Sequence, residues 1–163
     1  MKNRKIRIDY TVFENMEALP KEDAALLLKA RQMVKKAYAP YSRFRVGAAA
    51  RMKNGKIVAG ANQENAAYPV TICAERVLLS NAAMQFGDMP IQTMAVSYAN
   101  ENENTSDDHP ISPCGVCRQA LVEHEHRFGV PVRLILGGTS GEVIVIESVK
   151  SLLPLSFTGE DMA

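Results

Sequence analysis

Neither sign of charge is in excess: 19 Lys and Arg stand against 18 Asp and Glu in 163 residues, a formal net charge of +1. That near-balance argues against a protein held on nucleic acid by bulk charge. No apolar run approaches the roughly 18 residues that a bilayer span needs. The longest β-branched run is only Val143-Ile144-Val145-Ile146. The N-terminal MKNRKIRIDY passes from charge to charge without the apolar segment of a signal peptide. Cysteine is scarce and odd in number, three residues, so a fully paired disulfide framework within one chain is excluded. Internal repeats and linkers are also lacking. These absences lead to the expectation of a soluble, cytoplasmic protein with one domain over residues 1–163, and with neither membrane nor nucleic acid as partner.

The remaining composition is that of a globular chain, 47% hydrophobic and 23% charged. Its length suffices to bury roughly two-thirds of the unfolded surface. Residues 4 to 13 alternate charged and apolar groups, as an edge strand or a docked arm would, and the arm is taken to run through residue 19. A helix is expected from Pro20 to Ala37, with Glu22 and Asp23 at its positive end and Lys35 and Lys36 at its negative end. Pro40 breaks it. Two strands, Phe44–Arg51 and Lys56–Ala61, are joined by Asn54-Gly55, a hairpin signal in which both positions tolerate positive φ. The segment NQENAAYPVT leads into a helix over Cys73–Phe86, followed by a strand at Thr93–Tyr98 and an acidic surface loop over 99–110. A second cysteine-led helix covers Cys114–Phe128 and stops at Gly129. Strands at Arg133–Leu136 and Val143–Glu147 and a short helix close the pattern. Helices alternating with strands predict an α/β fold, with helices packed over a mixed central sheet of about five strands.

Both cysteine-bearing helices begin where loop becomes helix. Cys114 and Cys117 share one side of a first helical turn. Cys-x-x-Cys alone is ambiguous, since it also occurs in redox sites and as half of a structural zinc site. A closed zinc site needs a fourth ligand, and His109, His124 and His126 do not form a second ligand pair. Three protein ligands with an open fourth position is the arrangement of catalytic zinc. Glu75 is placed to act on water there, or else it is only a first-turn residue favoured by the helix dipole. Three thiolates on one zinc leave a net charge of about −1, which opposes activating water near neutral pH. Two helix dipoles aimed at the metal would offset that charge, as would Arg76 and Arg118 if their guanidiniums reach the sulfurs.

The segments Tyr38-Ala39-Pro40-Tyr41-Ser42-Arg43-Phe44-Arg45-Val46-Gly47-Ala48-Ala49, Asn62-Gln63-Glu64-Asn65-Ala66-Ala67-Tyr68, Thr71-Ile72-Cys73-Ala74-Glu75-Arg76 and Ile111-Ser112-Pro113-Cys114-Gly115-Val116-Cys117-Arg118-Gln119 resemble cytidine deaminase. The likeness is to its small, homotetrameric, three-cysteine branch and runs from about residue 24 to Phe157. It implies the three-layer α-β-α fold of that family and one Zn2+ per chain held by Cys73, Cys114 and Cys117. Glu75 is then the proton shuttle. Phe44, Asn62, Glu64 and the Ala74 backbone match positions that contact the nucleoside, and Phe157 matches a ring that reaches a neighbouring subunit's site. The implied reaction is hydrolytic deamination of cytidine and deoxycytidine to uridine and deoxyuridine, in pyrimidine salvage.

Three other readings stay open on the sequence. An aminohydrolase for a cytosine-containing antibiotic of the blasticidin type would share the zinc motif but differ in the loop that here carries Asn62 and Glu64. A polynucleotide deaminase usually has His as first ligand, and this chain lacks a basic stripe. A structural zinc module would need neither Glu75 nor an open ligand position.

Overall fold

Successive residues of the strand Phe44–Met52 (β2) face opposite ways, and this alternation sorts the molecule into layers. Ala48, Ala50 and Met52 join one apolar core, while Ala49 joins another on the opposite side of the sheet. The computed structural model describes residues 1–162. Among them, β1 (Thr11–Phe13), β2, β3 (Ile57–Ala61), β4 (Ile91–Asn100), β5 (Arg133–Gly137) and β6 (Val143–Ile146) form one sheet in the order β1-β6-β5-β4-β2-β3. Only β4 and β5 pair in parallel. Helix α1 (Lys21–Val34) covers one face through Leu26, Leu27 and Ala30. Helices α2 (Ala74–Phe86) and α3 (Gly115–Phe128) cover the other through Leu78, Ala82 and Leu121. The three-layer α-β-α expectation holds.

The sheet has six strands, not about five. The sixth is the N-terminal segment: Thr11–Phe13 pairs antiparallel with Val143–Val145 and takes the edge. The alternation over residues 4–13 could not specify a partner, because edge pairing depends on which strand edge the fold leaves free. Strand β4 is also longer than expected and runs to Asn100, into the start of the segment read as surface loop. The β2–β3 connection differs in type. Only Gly55 has positive φ, 81°, and its N–H donates to the Met52 carbonyl at 2.9 Å. Met52 N–H in turn donates to Lys56 at 2.9 Å. This is a type I turn closed by a left-handed glycine rather than a two-residue primed turn. The first helix starts one residue after Pro20 and ends at Val34, earlier than Ala37.

Two contacts set the helix bearing Cys73. A Cβ at Gly60 would collide with the backbone of Ala74 and Leu78, so glycine allows α2 to lie directly on β3. Asn81 Nδ2 donates to the Ala59 carbonyl at 3.0 Å and fixes the helix's rotation over the strand. Helix α3 is anchored at its far end by Glu125, which is only 2% exposed. Its carboxylate accepts from the N–H of Val132 at 2.6 Å, the N–H of Val149 at 3.0 Å and the Ser148 hydroxyl at 2.9 Å. One buried carboxylate thus ties α3 to the start of β5 and to the 3₁₀ turn Val149–Leu152.

Candidate active site

Cys73 immediately precedes α2, Cys114 immediately precedes α3, and Cys117 lies in the first turn of α3. Both helices therefore aim their positive ends and free N–H groups at the same place. The Sγ atoms of Cys73 and Cys114 are 3.8 Å apart, and all three sulfurs lie within 4.8 Å of one another. Tetrahedral ligation with Zn–S bonds of about 2.3 Å requires sulfurs about 3.8 Å apart. The donor set fits zinc. The thiols are already unequal: hydrogen bonding to Cys117, with help from Cys114 and Arg76, draws Cys73 down to about 6 against burial and Glu75. The same bond to Cys73, with burial, pushes Cys117 up.

Glu75 is 4% exposed, yet it lines the cavity beside these sulfurs. Burial raises its carboxyl above the usual range, opposed by its own backbone N–H and by the Cys117 thiol. Residues two apart do not share a helix face. Cys73 and Glu75 converge because Cys73 has extended backbone (φ −68°, ψ 153°) and stands just outside the helix.

The cavity holds about 360 Å³ and is lined by Phe44, Asn62, Glu64, Cys73, Glu75 and Cys114, with Ser42, Val46, Thr71, Ile111 and Ser112 completing it. Asn62 is buried and its amide acts as an added rung of β2. Its Oδ1 accepts from Val46 N–H at 2.8 Å and its Nδ2 donates to the Phe44 carbonyl at 3.0 Å. One amide N–H remains for a ligand. Glu64 Oε2 accepts the N–H groups of Tyr41 at 2.9 Å and Ser42 at 3.3 Å. Burial would raise this carboxyl, but those bonds and the Ser42 hydroxyl outweigh it and hold Glu64 ionised below the usual carboxylate range. Phe44 stacks on Tyr98 at 5.1 Å between ring centroids and presents a fixed apolar wall.

The other sequence-named residues lie elsewhere. Ala74 is fully buried as the first residue of α2, beside the cavity rather than in its lining. Arg76 is half-buried and acts on Cys73 by charge. Arg118 donates through Nε to the Pro113 carbonyl at 2.8 Å and through Nη1 to Leu152 at 3.2 Å, which braces the loop before Cys114. Its recorded bonds go to carbonyls rather than to sulfur. Phe157 is 58% exposed and outside the cavity of its own chain, with its carbonyl accepting from Gln119 Nε2 at 3.0 Å. Ser42, Thr71, Ile111 and Ser112 stand in the motif segments, but nothing local to the sequence marked them as lining.

A family model described as the cytidine and deoxycytidylate deaminase zinc-binding region matches residues 20–130. The chain belongs to this family. It is 40% identical over 141 residues to a cytidine deaminase of Halalkalibacterium halodurans, covering 86% of this chain and 98% of the relative. A cytidine deaminase of Sporosarcina psychrophila is 37% identical over 139 residues, covering 85% and 93%. Among solved structures, a cytidine deaminase from Burkholderia pseudomallei superposes with a TM-score of 0.69 at 36% identity, covering 85% of this chain and all of that one. The matched region includes all three cysteines of the sulfur cluster, in keeping with one zinc per chain.

Proposed function

We propose that this chain deaminates cytidine and deoxycytidine by hydrolysis, giving uridine and deoxyuridine and releasing ammonia. The observation that carries the reading is the buried Glu75 carboxylate lining the same cavity as the sulfurs of Cys73 and Cys114. Cys73, Cys114 and Cys117 would hold zinc, which when bound supplies the Lewis acidity that makes water nucleophilic near neutral pH. Glu75 accepts one proton from the attacking water and delivers it to ring N3. It then takes the second from the hydroxyl formed on C4 and passes it to the amine, so the C4–N bond breaks as the C4 oxygen becomes the carbonyl. Water and cytidine thus become uridine and ammonia with no other reactant. Burial suits Glu75 to this exchange, since a carboxyl raised above its usual range both takes and returns a proton. Phe44 packs on the pyrimidine ring, and Asn62 and Glu64 take the sugar hydroxyls. An ionised Glu64 repels phosphate, so the substrate is a nucleoside rather than a nucleotide. Arg76 offsets part of the charge of three thiolates, and Arg118 braces the loop before Cys114.

The reading extends to one domain over residues 1–163, working in pyrimidine salvage. Reduced thiolates as ligands suit a cytoplasmic setting. A homotetramer with sites near subunit boundaries would give the exposed Phe157 ring a partner surface, the neighbouring site. The test is ammonia release from cytidine, deoxycytidine, cytosine and CMP, with metal content measured on the same sample. Turnover of the two nucleosides by zinc-loaded protein is expected. Turnover of CMP alone, or none, would overturn the reading.

A further inference from the structure

The acidic loop after β4 is bonded to the wall of the cavity. Asn102 Nδ2 donates to the Ser42 carbonyl at 2.8 Å and to Asn100 Oδ1 at 2.7 Å. The neighbouring Glu101 N–H donates to the Arg43 carbonyl at 2.9 Å, and Glu101 Oε1 lies 2.7 Å from Arg45 Nε. The carbonyls of Ser42 and Arg43 belong to the two successive peptides that follow Ser42 and Arg43. Between them Arg43 has φ 56°, a left-handed conformation that strains any residue with a Cβ. The same turn aims the N–H groups of Tyr41 and Ser42 at Glu64 Oε2.

We propose that Asn102 is a positioning residue for sugar recognition. It clamps the strained turn so that two backbone amides hold one oxygen of Glu64 and leave the other for a ribose hydroxyl. The inference rests on the reading of Glu64 as a sugar-binding residue. Released from the clamp, Arg43 relaxes toward negative φ and carries the Tyr41 and Ser42 amides away from Glu64. The carboxylate must then be ordered by the substrate itself, which weakens binding and leaves proton transfer at Glu75 untouched.

The experiment compares Asn102→Ala with wild-type holoenzyme on cytidine and on 2′,3′-dideoxycytidine, which lacks the 2′- and 3′-hydroxyls. Loss of one neutral hydrogen bond predicts a roughly three- to tenfold fall in kcat/KM for cytidine, carried by KM, with little change for the dideoxy substrate. Arg43→Gly added to Asn102→Ala should restore most of that loss, because glycine takes left-handed φ without strain. Hydrogen exchange at the Tyr41 and Ser42 amides should quicken in Asn102→Ala and slow again in the double variant. Equal losses on both substrates, no loss on cytidine, no rescue, or unchanged exchange would each overturn the proposal. Wild-type and Glu64→Ala preference between the two substrates tests the underlying reading separately. If wild type showed no such preference, the sugar role of Glu64 would fall, and sugar positioning by Asn102 with it.

Discussion

The sulfurs of Cys73 and Cys114 lie 3.8 Å apart although the two residues open different helices. Nothing covalent joins them. Their approach is imposed by α2 and α3 packing on one face of the sheet, and a metal is what this convergence suits.

Zinc is therefore expected at about one per chain, and Cys73→Ala should lose both metal and thermal stability, because ligation contributes folding free energy. Metal analysis with a melting curve checks this. A zinc-free wild type with full activity would rule the assignment out.

Glu75→Gln keeps the side chain's shape but cannot move a proton. It should retain zinc and substrate binding while turnover falls roughly 10²- to 10⁴-fold. Turnover near wild type would make Glu75 a first-turn residue favoured by the dipole and nothing more.

Glu125→Ala tests the anchor of α3 rather than the chemistry. It strands two buried backbone N–H groups and the Ser148 hydroxyl, at an expected cost of about 2–4 kcal/mol. Glu125→Gln, which keeps one acceptor oxygen, should cost less. Denaturant unfolding of the three proteins gives the order, and equal stability of all three would contradict the clamp.

His124 predicts part of the acid sensitivity. Its Nε2 accepts the Ile91 N–H at 3.1 Å, and burial, then the charge of Arg127, lowers its pKa to about 4. Between about 4 and 6.5 the unfolded chain holds a proton that the folded one refuses, so stability falls as pH drops through that window. His124→Gln retains an acceptor and does not titrate. The stability of wild type relative to this variant should decline from pH 7 to pH 4.5, whereas a constant difference would show that His124 takes up its proton at the same pH in the folded and unfolded states.

Phe157 predicts shared sites. If Phe157→Ala and Glu75→Gln are each impaired, refolding them together should give activity above the average of the parents. Activity at or below that average, in mixtures shown to exchange subunits, would keep Phe157 within its own chain.

By itself the sequence marked three cysteines as candidate metal ligands, the helix starts that carry them, and the alternation of helix and strand that makes an α/β fold. These are local facts, carried by residue type, by turn and cap chemistry, and by spacing along one helix. Asn54-Gly55 announced a hairpin, but the turn's type awaited its surroundings, since asparagine tolerates several conformations and only Gly55 takes positive φ. The sixth strand was not legible, because Thr11–Phe13 becomes a strand only by meeting the free edge of β6. The same holds for the side chains that join distant segments. Glu125 reads locally as one more acid on a polar helix, and Asn102 as one residue of a solvated acidic loop. Tertiary structure alone decided that one is buried among donors and the other bonded to the wall of the site. Such hydrogen bonds form between residues far apart in sequence, and periodicity, which reports only which face a residue shares with its neighbours, does not encode them.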